Sequence, residues 1–163
     1  MSEPRRGIVF DINVLVQAIA GPASEWPLLM SVPPSTDNAA ADCLSIAFDS
    51  RDLALYASPH ILTNLARVLR HVGVSDPTVL AACDAVLDLI EVTGGAVIDP
   101  PRTVFDIADY EDNLIMDLAV AVDAILVVSD DTDLTALSPW HDRIPILRPH
   151  EFVRRTLQAR RNR

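Results

Sequence analysis

The sequence contains no lysine, few aromatic residues and only two cysteines. Its thirteen basic residues are all arginines, and twenty-three acidic residues give a formal net charge of -10 at pH 7. Such a charge disfavours nonspecific binding to nucleic acid, which depends on neutralising phosphates with Lys and Arg. Cys43 and Cys83 lie far apart, without a Cys or His partner at metal-ligand spacing. We therefore expect reduced thiols and neither a disulfide framework nor a zinc site.

Long apolar runs are also missing. No stretch approaches the roughly 20 residues that span a membrane, and the first residues lack the apolar segment of a signal peptide. These features predict a soluble, cytoplasmic protein without a membrane partner. The 163 residues, half of them hydrophobic, fit a single domain over 1–163 with a sizeable core.

Two segments are expected to lie outside this core. Pro22, Pro27, Pro33 and Pro34 predict an exposed loop at 21–38, because repeated prolines disrupt regular structure. The tail at 154–163 carries five arginines and no acid. It suits either contact with phosphates or favourable interaction of cations with the dipole at a helix C-terminus.

Alternating strand and helix patterns predict an α/β fold, a three-layer α/β/α sandwich with a mostly parallel central sheet. Strands are predicted at 7–10, 53–57, 96–98, 124–129 and 144–147. Helices are predicted at 14–20, 39–49, 59–72, 77–91, 109–122 and 134–137, with a last helix from Pro149.

Acidic residues follow two of these strands and head one helix. Asp11 comes directly after the first strand, and Asp131 and Asp133 follow the strand at 124–129. Because ligands of parallel α/β sheets bind beyond the carboxyl ends of the strands, we expect these acids to lie together. Asp112 precedes apolar residues at i+3, i+7 and i+10, which turns its carboxylate towards the sheet. Asp117, five residues further on, is expected to be solvated.

Each carboxylate taken alone also fits a structural role. Asp11, Asp131 or Asp133 suits a helix N-cap, and Asp112 suits the first turn of a helix. Brought together, these carboxylates would repel and raise one another's pKa, and a divalent cation would relieve that repulsion. Clustered aspartates without His or Cys indicate Mg²⁺ or Mn²⁺. Such ions activate water and stabilise the leaving oxygen in phosphodiester hydrolysis, which is the reaction that we predict.

Five segments, taken in their order and spacing, carry a resemblance to a known family. They are VFDINVLV at 9–16, SPHILTNLARVL at 58–69, EDNLIMDLA at 111–119, AILVVSDDTDL at 124–134 and PILRPHEF at 145–152. In these segments the sequence resembles the PIN-domain family, in particular the VapC-like toxin ribonucleases of toxin–antitoxin pairs. The resemblance implies an α/β/α domain that cleaves RNA with Mg²⁺ or Mn²⁺. It also implies a cognate antitoxin partner and a possible homodimer.

Carried over by position, the resemblance makes Asp11, Asp112 and Asp131 metal ligands and catalytic residues, with Asp133 as an additional catalytic acid. Asn13 and Ser129 match small polar residues that orient these carboxylates. We expect Asp131 or a metal-bound hydroxide to activate the nucleophile.

One position departs from the family pattern. Asn64 stands where the family usually carries a glutamate, in the helix that follows Ser58. Its amide oxygen can still hold a metal-bound water, or the side chain is simply satisfied by a neighbouring backbone group. Two outcomes stay open. One is an active nuclease with weaker metal binding, assisted by Glu111 or Asp109, which we favour. The other is a catalytically attenuated PIN domain that acts as a protein- or RNA-binding module.

Other readings have less support. A receiver-like phosphotransfer domain using Asp11 would want a late lysine, which the sequence lacks. His60 is expected at the surface, in the first turn of its helix.

Overall fold

The computed structural model of the protein describes residues 3–24, 26 and 37–163. Most of the loop predicted at 21–38 lies outside the described residues. The described strands are β1 Arg6–Phe10, β2 Leu53–Tyr56, β3 Leu126–Val128 and β4 Ile146–Leu147. The described helices are α1 Ile12–Ala20, α2 Ala39–Asp49, α3 Pro59–His71, α4 Asp76–Thr93, α5 Tyr110–Ala121, α6 Thr132–Thr135 and α7 Pro149–Arg161.

The four strands form one parallel sheet in the order β2-β1-β3-β4. Ile8 on β1 is in register with Leu55 on β2 and with Leu126 on β3. Parallel neighbours need long crossover connections, and helices supply them here. The predicted α/β/α fold with a parallel central sheet is confirmed.

The central strand β1 is apolar along most of its length. Ile8, Val9 and Phe10 are at most 1% exposed, as expected for a strand covered on both faces. Phe10 also packs edge-on against Phe152 of α7, with ring centroids 6.0 Å apart. The core therefore surrounds the two central strands, and their carboxyl ends are fixed by this packing.

The strand predicted at 96–98 is wrong. In its place a single bridge joins Val97 to Ala57, just beyond β2. The backbone N–H of Ile98 donates to the Ala57 carbonyl oxygen at 2.9 Å, and the ladder ends there. Pro100 and Pro101 follow closely, and proline has no N–H with which to continue a ladder.

The expectation that Asp117 is solvated is also wrong. Its side chain is 0% exposed and accepts hydrogen bonds from the backbone N–H groups of Thr103, at 2.8 Å, and Val104, at 2.6 Å. The Arg102 guanidinium donates to its second oxygen at 2.6 Å. Asp117 thus fixes the loop before α5, a tertiary contact that helical spacing does not reveal.

Both cysteines are free, as expected, with Cys43 buried and Cys83 half-buried. Of the helices in the described part of the chain, none combines the length and the apolarity that crossing a membrane requires.

Candidate active site

Asp11 lies directly beyond β1, where it is the N-cap of α1. One carboxylate oxygen accepts from the Ile12 backbone N–H at 2.7 Å. The other accepts from the Ser129 hydroxyl at 2.7 Å and from the Asn13 amide at 3.2 Å. Asp11 is 7% exposed. Asp11 therefore caps α1 and also lies beyond the end of β1, so the two roles expected from the sequence do not exclude each other.

Ser129 joins Asp11 to the acids that follow β3. It is fully buried, and its hydroxyl oxygen accepts from the Asp131 backbone N–H at 3.1 Å. The Asn13 side-chain oxygen accepts from the Asp130 backbone N–H at 3.1 Å. These contacts form because β1 and β3 are neighbouring parallel strands, so their carboxyl ends meet.

Asp131 is the N-cap of the short helix α6, and its side chain accepts from the Asp133 backbone N–H at 2.8 Å. Asp131 is half-buried and Asp133 is exposed. The Asp133 backbone N–H thus orients the Asp131 carboxylate, and Ser129 holds the Asp131 backbone in place.

Asp112 lies in the first turn of α5 and is 5% exposed. No donor among the described residues forms a hydrogen bond with its carboxylate. Burial and then the negative charges of Asp131, Asp109, Asp11 and Asp133 raise the pKa of Asp112 to about 7. We call Asp11, Asp112, Asp131 and Asp133 the acidic rim, because the negative charges of the other three contribute to the raised pKa of Asp112.

The pKa of Asp11 is also raised. Burial is the largest cause, and the charge of Asp131 adds to it. The hydrogen bonds from Ser129 and Ile12 oppose this rise, as does the positive charge of His60. The charge of Asp131 therefore acts on Asp11, although the two residues follow different strands.

Asn64 is satisfied locally. Its amide donates to the His60 carbonyl oxygen at 2.9 Å. Its side-chain oxygen accepts from two guanidinium nitrogens of Arg67, at 3.1 and 2.8 Å. Within the described residues no hydrogen bond links Asn64 to the acidic rim. The alternative that a neighbouring backbone group satisfies this side chain is confirmed.

His60 and Glu111 are the residues whose contact the sequence did not indicate. His60 is half-buried, not at the surface, and its Nε2 contacts the Oε2 of Glu111. Its Nδ1 is buried and has no hydrogen-bond partner in the described part of the chain. Ser58 follows β2 closely and caps α3, so the sequence could place His60 near the carboxyl ends of the strands, but it could not indicate the contact with Glu111.

The chemistry of the acidic rim fits a hard divalent cation. The rim offers carboxylate oxygens, and Asp112 is nearly buried without a hydrogen bond that would offset its charge. Across residues 3–24, 26 and 37–163, no three His, Cys, Asp or Glu side chains are arranged as ligands of one metal ion. A cation at the rim would thus be held partly by water, as Mg²⁺ commonly is.

A parallel α/β sheet with aspartates beyond two adjacent strand ends defines a class of acidic site suited to phosphodiester chemistry. The sequence model of the PIN domain matches residues 7–133, which is most of the chain and includes the whole acidic rim. The chain belongs to the PIN domain family. PIN domains are typically nucleases, they generally use divalent metals, and membership suggests RNA binding. A search of curated proteins gave no match.

Proposed function

We propose that this PIN domain is a Mg²⁺- or Mn²⁺-dependent endoribonuclease that hydrolyses RNA phosphodiester bonds. The observation that carries the proposal is Asp112, a nearly buried carboxylate without a hydrogen bond from the described residues and with a raised pKa among other acids. Such an arrangement is costly without a cation and is the kind of perturbation that marks functional sites.

In this proposal Asp11, Asp112 and Asp131 hold the metal. The bound ion supplies activation of the attacking water and stabilisation of the leaving oxygen. Ser129 and Asn13 hold Asp11 in position through their hydrogen bonds, and the Asp133 backbone N–H holds Asp131. The negative charge of the Asp133 carboxylate contributes to the raised pKa of Asp112. Asn64 contributes no ligand in this arrangement, because its oxygen is bound to Arg67.

RNA cleavage in the presence of Mn²⁺ tests the proposal. Asp11→Asn and Asp112→Asn should lower the cleavage rate by at least about 100-fold, because each removes charge from the metal site. Asp123→Asn is the matched control, since Asp123 is exposed and pairs only with Arg143 in the described part of the chain. Wild-type rates in both rim variants would refute the proposal.

We also propose that the protein is the toxin of a toxin–antitoxin pair. The net charge of -10 and the acidic rim suit an antitoxin with a basic segment, whose arginine would form charge-assisted hydrogen bonds with the carboxylates. Co-expression with the product of the adjacent reading frame should yield a complex that does not cleave RNA.

A homodimer is proposed as well, supported by Leu80 and Leu87, exposed one above the other on α4.

A second candidate function is a catalytically attenuated PIN domain that binds protein or RNA. The local satisfaction of Asn64 favours it, since the usual acid is missing and its replacement is occupied. Under this alternative the natural protein does not cleave RNA and Asn64→Glu creates cleavage. Cleavage by the wild type decides against it.

A further inference from the structure

We infer that the exposed rings of Phe105 and Tyr110 bind bases of single-stranded RNA by stacking, beside the acidic rim. Both rings lie against the guanidinium of Arg102, and we call these three residues the aromatic platform. The inference rests on the proposed function, because it names a surface that holds the RNA of that reaction.

The exposure of the two rings is the first observation. Phe105 is 71% exposed and Tyr110 is 61% exposed, and every other Phe, Tyr or Trp in the described residues is less exposed. Single apolar residues at a surface are ordinary. Here, however, two of the few aromatic side chains of the chain lie together at the surface on one cation, with most of their area open to solvent.

The fixed position of Arg102 is the second observation. Its Cζ lies 5.0 Å from the ring centroid of Phe105 and 4.9 Å from that of Tyr110, within the range of cation–π contacts. Its Nε donates to the buried Asp117 carboxylate at 2.6 Å, and its Nη2 donates to the Val104 carbonyl oxygen at 3.2 Å. Because the cation is held, both rings are ordered before a base arrives, which lowers the entropy cost of binding.

The aromatic platform borders the acidic rim at the start of α5. Tyr110 is the first residue of α5 and Asp112 is the third, so their Cα atoms lie about 5 Å apart. Side chains two positions apart face different sides of a helix, so the rings lie beside the rim and not in it. The charge of Asp109, the N-cap of α5, acts on Asp112, as expected if the start of this helix adjoins the rim. An RNA strand with a phosphate at the rim would therefore bring a neighbouring base over the start of α5.

The charge of the chain favours stacking as the mode of binding. A net charge of -10 disfavours contacts with many phosphates, whereas stacking uses the faces of the bases. Stacking of one base on an aromatic side chain strengthens binding by about 5- to 150-fold and accepts every base. Bases within an RNA duplex already stack on one another, so the aromatic platform requires a single strand.

Fluorescence anisotropy of a short labelled single-stranded RNA, in low salt with EDTA to prevent metal-dependent cleavage, tests the inference. Phe105→Leu and Tyr110→Leu should each weaken RNA binding by at least about fivefold, because each removes a ring and keeps an apolar side chain. Phe105→Trp should retain the affinity. Phe48→Leu is the matched control, because Phe48 is 44% exposed near the end of α2, shortly before β2 begins, and so lies at the opposite edge of the sheet.

RNA of the same length whose nucleotides lack bases separates stacking from structural damage. The wild type should bind this abasic RNA as weakly as the Phe105→Leu/Tyr110→Leu double variant does, and the double variant should bind it no more weakly than the wild type. Lower affinity of the double variant for both RNAs would indicate a structural role for the rings and overturn the inference.

The remaining outcomes distinguish this inference from the proposed function. Equal RNA affinity in the wild type and the double variant, together with Mn²⁺-dependent cleavage, would overturn the aromatic platform alone. Loss of antitoxin binding with unchanged RNA affinity would assign these rings to a protein partner and overturn it as well. A wild type that neither binds nor cleaves RNA would refute both the inference and the proposed function.

Discussion

Asp112, a proposed metal ligand, is expected to lower the stability of the metal-free protein. Burial and then the neighbouring negative charges raise its pKa from 3.8 to about 7, so the folded, metal-free protein holds the Asp112 proton more tightly than the unfolded chain does. The free energy of unfolding of metal-free protein should therefore decrease as pH rises from about 4 to 7. Above pH 7 the ionised carboxylate destabilises the fold until a cation binds.

Asp112→Asn removes this ionisation. In EDTA at pH 8 we expect the variant to melt at least about 3 °C above the wild type, a shift equivalent to about 1 kcal/mol for a chain of this size. At pH 5 the difference should shrink. Thermal melts at the two pH values measure this, and a variant less stable than the wild type at pH 8 would contradict it.

Asp117 illustrates the opposite case. Burial raises its pKa, but hydrogen bonds from Thr103, Val104 and Arg102 outweigh burial, and the net pKa is lowered. Its contribution to stability is thus present at neutral pH and is lost as pH falls below the ordinary carboxyl value through the lowered one.

Asp117→Ala should lower the free energy of unfolding at pH 7 by about 3 kcal/mol, because it leaves two backbone N–H groups and a guanidinium unsatisfied. Asp123→Asn, at an exposed pair and with a side chain that tolerates the left-handed backbone there, should change it by less than about 0.5 kcal/mol. Urea unfolding measures both. Similar effects of the two substitutions would show that the buried contacts of Asp117 do not stabilise the loop.

At the level of elements, the site follows from strand order. Because β1 and β3 are parallel neighbours, the residues after each strand meet, and Ser129 lies between Asp11 and Asp131. Ser129→Ala removes the hydrogen bonds to both. We expect Mn²⁺ affinity to fall about tenfold and the free energy of unfolding by about 1 kcal/mol.

Ser75→Ala is the control for this substitution. Ser75 is exposed at the start of α4, where its hydroxyl donates to the Thr78 hydroxyl at 2.9 Å but caps no backbone N–H. Titration with Mn²⁺ and urea unfolding measure the two effects, and unchanged Mn²⁺ affinity in Ser129→Ala would mean that Ser129 does not position the ligands.

The elements also show what the sequence could and could not indicate. Caps and apolar periodicity are local signals, so Ser58 before α3 and the central strands were predictable. Contacts such as His60 with Glu111, or Asp117 with the loop before α5, depend on how separate elements pack, and no local pattern encodes them. The strand predicted at 96–98 failed because its three apolar residues lie just before two prolines that end the ladder.

For the whole molecule, charge is the dominant property. Several arginines form ion pairs within the chain, including, in the tail, Arg160 with Asp49 at 3.1 Å and Arg163 with Asp52 at 3.8 Å. Arg160 and Arg161 also lie in the last turn of α7, where the helix dipole favours cations. These contacts support the structural role of the arginine-rich tail over contact with phosphates.

The net charge of -10 disfavours an extensive phosphate-binding surface. The logarithm of RNA affinity should fall with the logarithm of salt concentration with a slope no steeper than about -2, equivalent to fewer than about three phosphate contacts on a single strand. Measurement of KM for a single-stranded RNA between 50 and 200 mM salt, at fixed Mn²⁺, gives this slope. A slope near -5 would show an extensive basic surface and contradict the expectation.

The most direct test is a titration of the wild type and of Asp11→Asn, Asp112→Asn and Asp131→Asn with Mn²⁺. The paramagnetic resonance signal of free Mn²⁺ gives the amount bound at each concentration. We predict saturable binding to the wild type and at least about tenfold weaker binding to each variant, because in the proposal each of the three carboxylates contributes negative charge to one cation that also keeps bound waters. Binding of wild-type strength in all three variants would contradict the claim that these acids form a metal site.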